Sequence, residues 1–182
     1  MSRHAITLIF STASGIISWL IRKLQGADIS HCAIGTSMHG VPVVIEDTVG
    51  GVRIYPRARW EKSHKLVREF EFIPNMEDGL RHSIGHVGDA YDYAGLFGYV
   101  WVLLGRWLRK KWKNPFARAN SAVCSEFILE MDPERKLVPE WEGLDPSSVT
   151  PRDLDQLCRL GRSFRPRNLD QGVVPPGDSQ VG

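Results

Sequence analysis

The chain has 182 residues, 42% of them hydrophobic and 24% charged, enough to bury one sizeable core in a single domain. Its 23 basic and 21 acidic residues leave a net charge of +2, which excludes a broadly basic nucleic-acid binder, so no nucleic-acid partner is expected. Cys32, Cys124 and Cys158 form no CxxC pair and stand too far apart for a zinc cluster or a secreted disulfide scaffold, and neither metal nor cofactor is expected.

Residues 5–10 are rich in β-branched and aromatic side chains and predict a buried strand. Ser14 is placed to cap a helix over residues 15–24, in which Ile17, Leu20, Ile21 and Leu24 keep helical spacing, and Gly26 ends it. Neither apolar run reaches the roughly 18–20 residues that cross a bilayer, and no small-residue cleavage pattern follows, so a soluble cytoplasmic protein is expected. Residues 30–36 and 41–47 predict two strands around the turn Ser37-Met38-His39-Gly40. Gly50-Gly51 makes another turn, residues 52–55 a third strand, and Pro56 stops it. In residues 65–72, Leu66, Val67, Phe70 and Phe72 alternate with Arg68, Glu69 and Glu71, as in a strand with one wet face.

Asn75 can cap a helix from Met76 to about Val87, ended near Gly88. A long apolar and basic segment, residues 96–113, is broken by Asn114-Pro115. Asn120 or Ser121 can cap a helix over residues 122–131, with Pro133 beyond its end. Thr150-Pro151 opens a last helix through Leu160, followed by Gly161. The polar, Pro- and Gly-rich residues 162–182 read as a disordered tail after one domain spanning 1–161.

Cys124 lies near the start of a predicted helix, where unpaired amides and the helix dipole favour a thiolate. His31 opens an apolar strand in which His31, Ala33 and Gly35 share one face and Cys32 and Ile34 the other, which makes Cys32 a core residue. A nucleophilic cysteine needs such an imidazole to handle its proton. Glu46 or Asp47, at the end of the next strand, can accept the second imidazole N–H and fix the ring. His82 and His86 stand four apart on a predicted helix but have no third ligand at suitable spacing, so they read as an exposed face. His4, His39 and His64 have no visible partner, and Cys158 reads as packing.

In order, the chain carries Ser30-His31-Cys32-Ala33-Ile34-Gly35, then Val43-Val44-Ile45-Glu46, then Gly88-Asp89-Ala90-Tyr91-Asp92-Tyr93, then Val123-Cys124-Ser125-Glu126-Phe127, and finally Thr150-Pro151-Arg152-Asp153-Leu154. Together these resemble the circularly permuted NlpC/P60 papain-like superfamily, which includes the YiiX-type proteins and the lecithin retinol acyltransferase relatives. The resemblance runs from about Thr12 to Leu157, and histidine before cysteine is the order that permutation implies. The Gly-Asp strand motif that begins many bacterial members is absent, and residues 6–11 occupy its place.

The resemblance implies an α+β fold, an antiparallel sheet packed against helices, with the catalytic cysteine at a helix N-terminus. It implies a cysteine hydrolase (amidase, peptidase or lipid esterase) or an acyltransferase. The triad would be Cys124, His31 and Glu46, acting through an acyl-enzyme on a peptidoglycan peptide or a lipid. The alternative is a noncatalytic binding module that keeps the fold.

Residues 96–113 have their own physics. Arg106, Arg109, Lys110, Lys111 and Lys113 interleave with Trp107, Leu108 and Trp112, as in a helix lying on an anionic membrane surface. The competing expectation, favoured by the unbroken apolar run before them, is a helix that covers the core.

Overall fold

Short runs of β-branched and aromatic residues, punctuated by glycine turns, fold into a six-stranded antiparallel sheet flanked by helices, an α+β architecture. The computed structural model describes residues 5–48, 51–88, 101, 104–105, 107–110 and 124–168. The strands are β1 (Thr7–Ala13), β2 (His31–Met38), β3 (Val41–Thr48), β4 (Gly51–Pro56), β5 (His64–Phe72) and β6 (Phe164–Pro166), in the spatial order β4-β3-β2-β1-β5-β6. The helices are α1 (Ile16–Gln25), α2 (Arg57–Trp60), α3 (Glu77–Gly85), α4 (Cys124–Leu129) and α5 (Pro151–Leu160).

Turn chemistry sets the register of the central hairpin. His39 and Gly40 both take positive φ, 49° and 80°, so a two-residue turn pairs Met38 with Val41 and carries Ile34 opposite Ile45. Gly35 is required for another reason: a Cβ there would lie 2.4 Å from Thr7 Oγ1, so β1 and β2 approach more closely than any side chain permits. The small residues of β2 thus make room for β1.

Most of the apolar side chains lie on one sheet face. Leu8, Phe10, Cys32, Ile34, Ile45 and Phe70 pack there against Cys124, Phe127 and Ile128 of α4, Leu154 and Cys158 of α5, and Trp141. The opposite face holds a much smaller cluster, Ile9, Ala33, Val44 and Trp60, with Tyr55 and Leu66 against it. The helix α5 has the start that its sequence announces: Thr150 and Asp153 form a reciprocal capping box, with Pro151 in the first turn.

Several expectations need correction. The strand β1 runs on through Ser11, Thr12 and Ala13, because a bulge after Phe10 lets them pair with Leu66, Lys65 and His64 of β5. Ser14 makes no cap; Gly15, at φ 137°, takes the N-cap position of α1. The four-residue helix α2, at Pro56's exit from β4, has too few residues to show a period in the sequence. The supposedly wet face of β5 buries Glu69, which accepts both Arg57 guanidinium N–H groups at 2.9 Å and the Thr7 hydroxyl at 2.7 Å.

The folded unit also continues past Gly161. Ser163 and Phe164 are buried and β6 pairs with β5, so these residues of the expected tail are structured. Residues 169–182 lie outside the described residues, as do the Tyr-Asp segment 89–93 and most of 96–113. Within that last segment Trp101, Trp107 and Leu108 are exposed, Leu104 is half-buried and Gly105 is buried. Among the described residues no helix is long and apolar enough to cross a membrane.

Candidate functional site

His31 is the first residue of β2 and Cys124 the first described residue of α4, which lies against β2 and β3. In the β2–β3 register Glu46 lies opposite Ala33, so it shares the face of His31 one diagonal step away. That placement brings Glu46 Oε2 to 2.9 Å from His31 Nε2. The imidazole is then left its other nitrogen, Nδ1, for the thiol, and it is a hydrogen-bond partner of Cys124. Cys124, His31 and Glu46 thus form one continuous chain. Asp47, the alternative orienter, faces the helix side instead.

The electrostatics of the chain favour a charge-separated pair. Burial alone would push His31 down, but its hydrogen bonds to Cys124 and Glu46 prevail and raise it to about 10. The Cys124 thiol is pulled well below the usual thiol range, first by a hydrogen bond from the Cys32 thiol and then, against burial, by His31. Both shifts favour the thiolate–imidazolium pair over the neutral thiol and imidazole. Glu46 is held below its ordinary value: burial opposes this, but the His31 contact and the Trp60 N–H outweigh it.

Four supporting residues have no such role visible in the sequence. Trp60 donates its indole N–H to Glu46 Oε2 at 2.6 Å and is only 2% exposed. His64 stacks on Trp60 at 4.5 Å between ring centroids, with an interplanar angle of 4°, so it has a partner after all. Burial lowers the pKa of His64, opposed by Glu46 and reinforced by the charge of His31. The Arg57–Glu69 pair ties α2 to β5 and so holds Trp60 under Glu46. Only an aromatic residue spaced after Pro56 could have hinted at this brace.

Cys32 is a core residue, as its strand face requires, but it also serves the site. Its thiol stays protonated, pushed up by burial and by the neighbouring Cys124, and so can donate a hydrogen bond to the Cys124 sulfur. Asp47 lies on the same side. Burial, reinforced by the Cys124 charge, raises it to about 8, leaving a mostly neutral carboxylic acid beside the thiolate.

The ligating atoms of His31, Glu46 and His64 fall within 4.8 Å of one another. A metal there would have to displace the Trp60 N–H from Glu46 and deprotonate an imidazole poised at about 10. The donor set fits a proton-handling triad better than a metal centre.

No protein-family model and no curated protein matches this sequence.

Proposed function

We propose that the protein is a cysteine hydrolase or acyltransferase with the permuted papain-like fold, using Cys124 as nucleophile, His31 as proton carrier and Glu46 as the residue that orients the imidazole. One observation carries this reading: a depressed thiol at the first described residue of α4, a raised imidazole and a buried carboxylate lie in one hydrogen-bonded chain. Structural free cysteines buried in apolar surroundings shift the other way, as Cys158 does.

The chemistry follows from the resting ion pair. The Cys124 thiolate adds to the carbonyl carbon of an amide or ester, and the charge moves to the carbonyl oxygen. The backbone N–H of Cys124 would donate to that oxyanion. As the tetrahedral adduct collapses, the His31 imidazolium protonates the leaving amine or alcohol, and a thioester remains on Cys124. His31, now neutral, takes a proton from water or from an acceptor alcohol or amine as it attacks the thioester. Thiolate is expelled and the ion pair is restored. His31 thus acts first as an acid, because the thiol proton has already been transferred before substrate arrives.

The exposed apolar side chains favour a substrate at a lipid surface. Ile16 is 84% exposed and Trp107 65%, and both Trp19 and Leu108 are exposed as well. Lys23 lies 5.0 Å over the Trp19 ring, and Arg109 and Lys110 follow Leu108, a pairing of apolar anchors with cations suited to anionic headgroups. Sedimentation with anionic vesicles tests this part; no difference from neutral vesicles counts against it.

Labelling with a thiol-reactive acyl probe tests the chemistry itself. The wild type is expected to form a covalent adduct on Cys124 at neutral pH, and Cys124→Ala to lose it by ~10⁴-fold or more. A folded wild type whose Cys124 reacts no faster than a free thiol overturns the proposal.

A further inference from the structure

The helix α3 meets the chain just past the end of α4, and their junction brings together three metal-ligating side chains from two parts of the fold. His82 on α3 and His86, its C-cap residue, lie one turn apart, with their Nε2 atoms 3.4 Å from each other and their rings at 81°. Glu130, just past the end of α4, brings a carboxylate oxygen to the same point, so that all three ligand atoms lie within 4.8 Å. We propose that His82, His86 and Glu130 bind a zinc-type divalent ion that clamps α3 to the helix bearing Cys124.

The spacing argues for an ion rather than for a chance surface pair. A tetrahedral ion with imidazole nitrogens at ~2.05 Å separates neighbouring ligand atoms by ~3.3 Å, close to the spacing of the two Nε2 atoms here. Near-perpendicular rings let both nitrogens point at one centre, whereas stacked rings would point past it. Glu130 has two rotatable bonds beyond its Cβ, so the carboxylate can close the remaining gap by rotation. Two imidazoles and one carboxylate are also a donor set suited to a borderline-soft ion, with the fourth position left to water.

A second observation fixes the two halves of the site relative to each other. At Gly79, one turn before His82, a Cβ would lie 2.1 Å from the backbone oxygen of Met131, the residue after Glu130. The helix α3 therefore touches the end of α4 backbone to backbone, which needs glycine. Arg135 holds that end in place by donating to the carbonyls of Leu129 and Asp132. The sequence alone offered His82 and His86 without a third ligand; the fold supplies it from a segment 44 residues beyond His86.

Such an ion would sit about 9 Å along the helix from Cys124, given six residues at ~1.5 Å each. It would be separate from the triad and would act by fixing α4, not by touching substrate.

Zinc titration by calorimetry on the full chain tests this, with Cys124→Ser alongside to remove the reactive thiol. Both proteins are expected to bind one zinc and to melt at a higher temperature when it is present. His82→Ala and His86→Ala should each weaken binding by ~100-fold or more, beyond the ~10–100-fold that loss of an outer-sphere partner brings, and Glu130→Gln by at least ~10-fold. X-ray absorption of the bound zinc should show nitrogen and oxygen neighbours and no sulfur. Zinc affinity unchanged in both histidine variants overturns the proposal. So does a sulfur neighbour, or binding that vanishes with Cys124→Ser and survives His82→Ala.

Discussion

The two faces of the sheet contribute to the same site in different ways. The helix-covered face is thick, apolar and closed, and it carries Cys124, Cys32 and Asp47, whose titrations are set by burial and by one another. The opposite face is thin, covered at the site among the described residues by α2, and it carries Glu46, Trp60 and His64 in a network of hydrogen-bonded and stacked polar groups. His31 belongs to the thin face, but as the first residue of its strand its ring reaches both sides. One face sets the charge of the Cys124 sulfur and the other holds the His31 imidazole still. A position at a strand end is what lets a single imidazole join them.

Removing the link should have the largest effect. In the wild type, the alkylation rate of Cys124 by iodoacetamide should stay high from below neutral pH to about 10, where the imidazolium loses its proton. His31→Ala should move the thiol limb up toward the ordinary cysteine range, slowing alkylation at pH 6.5 by ~10–100-fold. The same ion pair sets a stability window. The raised His31 stabilises the fold fully below pH 6.5, its unfolded value, and this contribution is lost as pH rises through about 10. The depressed Cys124 contributes fully above its unfolded value of 9.0 and loses its share as pH falls through its lowered folded value. A profile unchanged in His31→Ala would separate the two faces and end the triad reading.

Breaking only the thin face should be milder. Glu46→Gln leaves the ring without its anionic partner and should cut acyl turnover by ~10²–10⁴-fold, the scale seen when an orienting carboxylate becomes an amide. It should also lower the pKa of His31, visible by NMR as an earlier loss of the imidazolium signal. Trp60→Phe deletes one N–H to the same oxygen and should raise the pKa of Glu46, with a loss of activity smaller than that of Glu46→Gln.

On the thick face, Asp47→Asn should stabilise the fold. A carboxyl held at about 8 when folded favours the unfolded chain increasingly as pH rises from 3.8, its unfolded value, to about 8. The gain in melting temperature should therefore grow from pH 4 to about 8 and level off beyond. A variant that is less stable at pH 8 than the wild type would mean that Asp47 is needed as a charge. Smallest of all, Thr150→Ala should cost about 1 kcal/mol by removing the α5 cap while leaving Cys124 labelling intact.

Much of this was legible in the residues because it is local. The β2–β3 hairpin announces itself by its Gly40 turn, α1 by its stop at Gly26, and α5 by Thr150-Pro151. The period of two put His31 and Cys32 on opposite faces and offered Glu46 and Asp47 as alternatives, because alternation identifies faces but not which face meets which partner. Trp60 and His64 left no trace, since α2 is too short to show a period and stacking depends on how α2 turns back onto the start of β5. Glu69 looked like a solvated charge because its partner, Arg57, lies twelve residues upstream on another element. The tail misled for a similar reason: Phe164 is surrounded by arginine and proline, and only the free edge of β5 gave it a strand to pair with.

The sequence by itself determined where strands and helices begin, which glycines turn the chain, and that a cysteine follows a histidine and a carboxylate in order. These follow from backbone sterics, capping and periodicity, which act over a few residues. Only the tertiary structure decided that His31 touches both sides of the sheet, that Glu46 and not Asp47 accepts a hydrogen bond from its ring N–H, and that Cys32 supports the thiolate from the core. It alone set Glu130 beside His82 and His86. Charges and ring nitrogens take their properties from neighbours within a few ångströms, and in a folded chain most of those neighbours are remote in sequence.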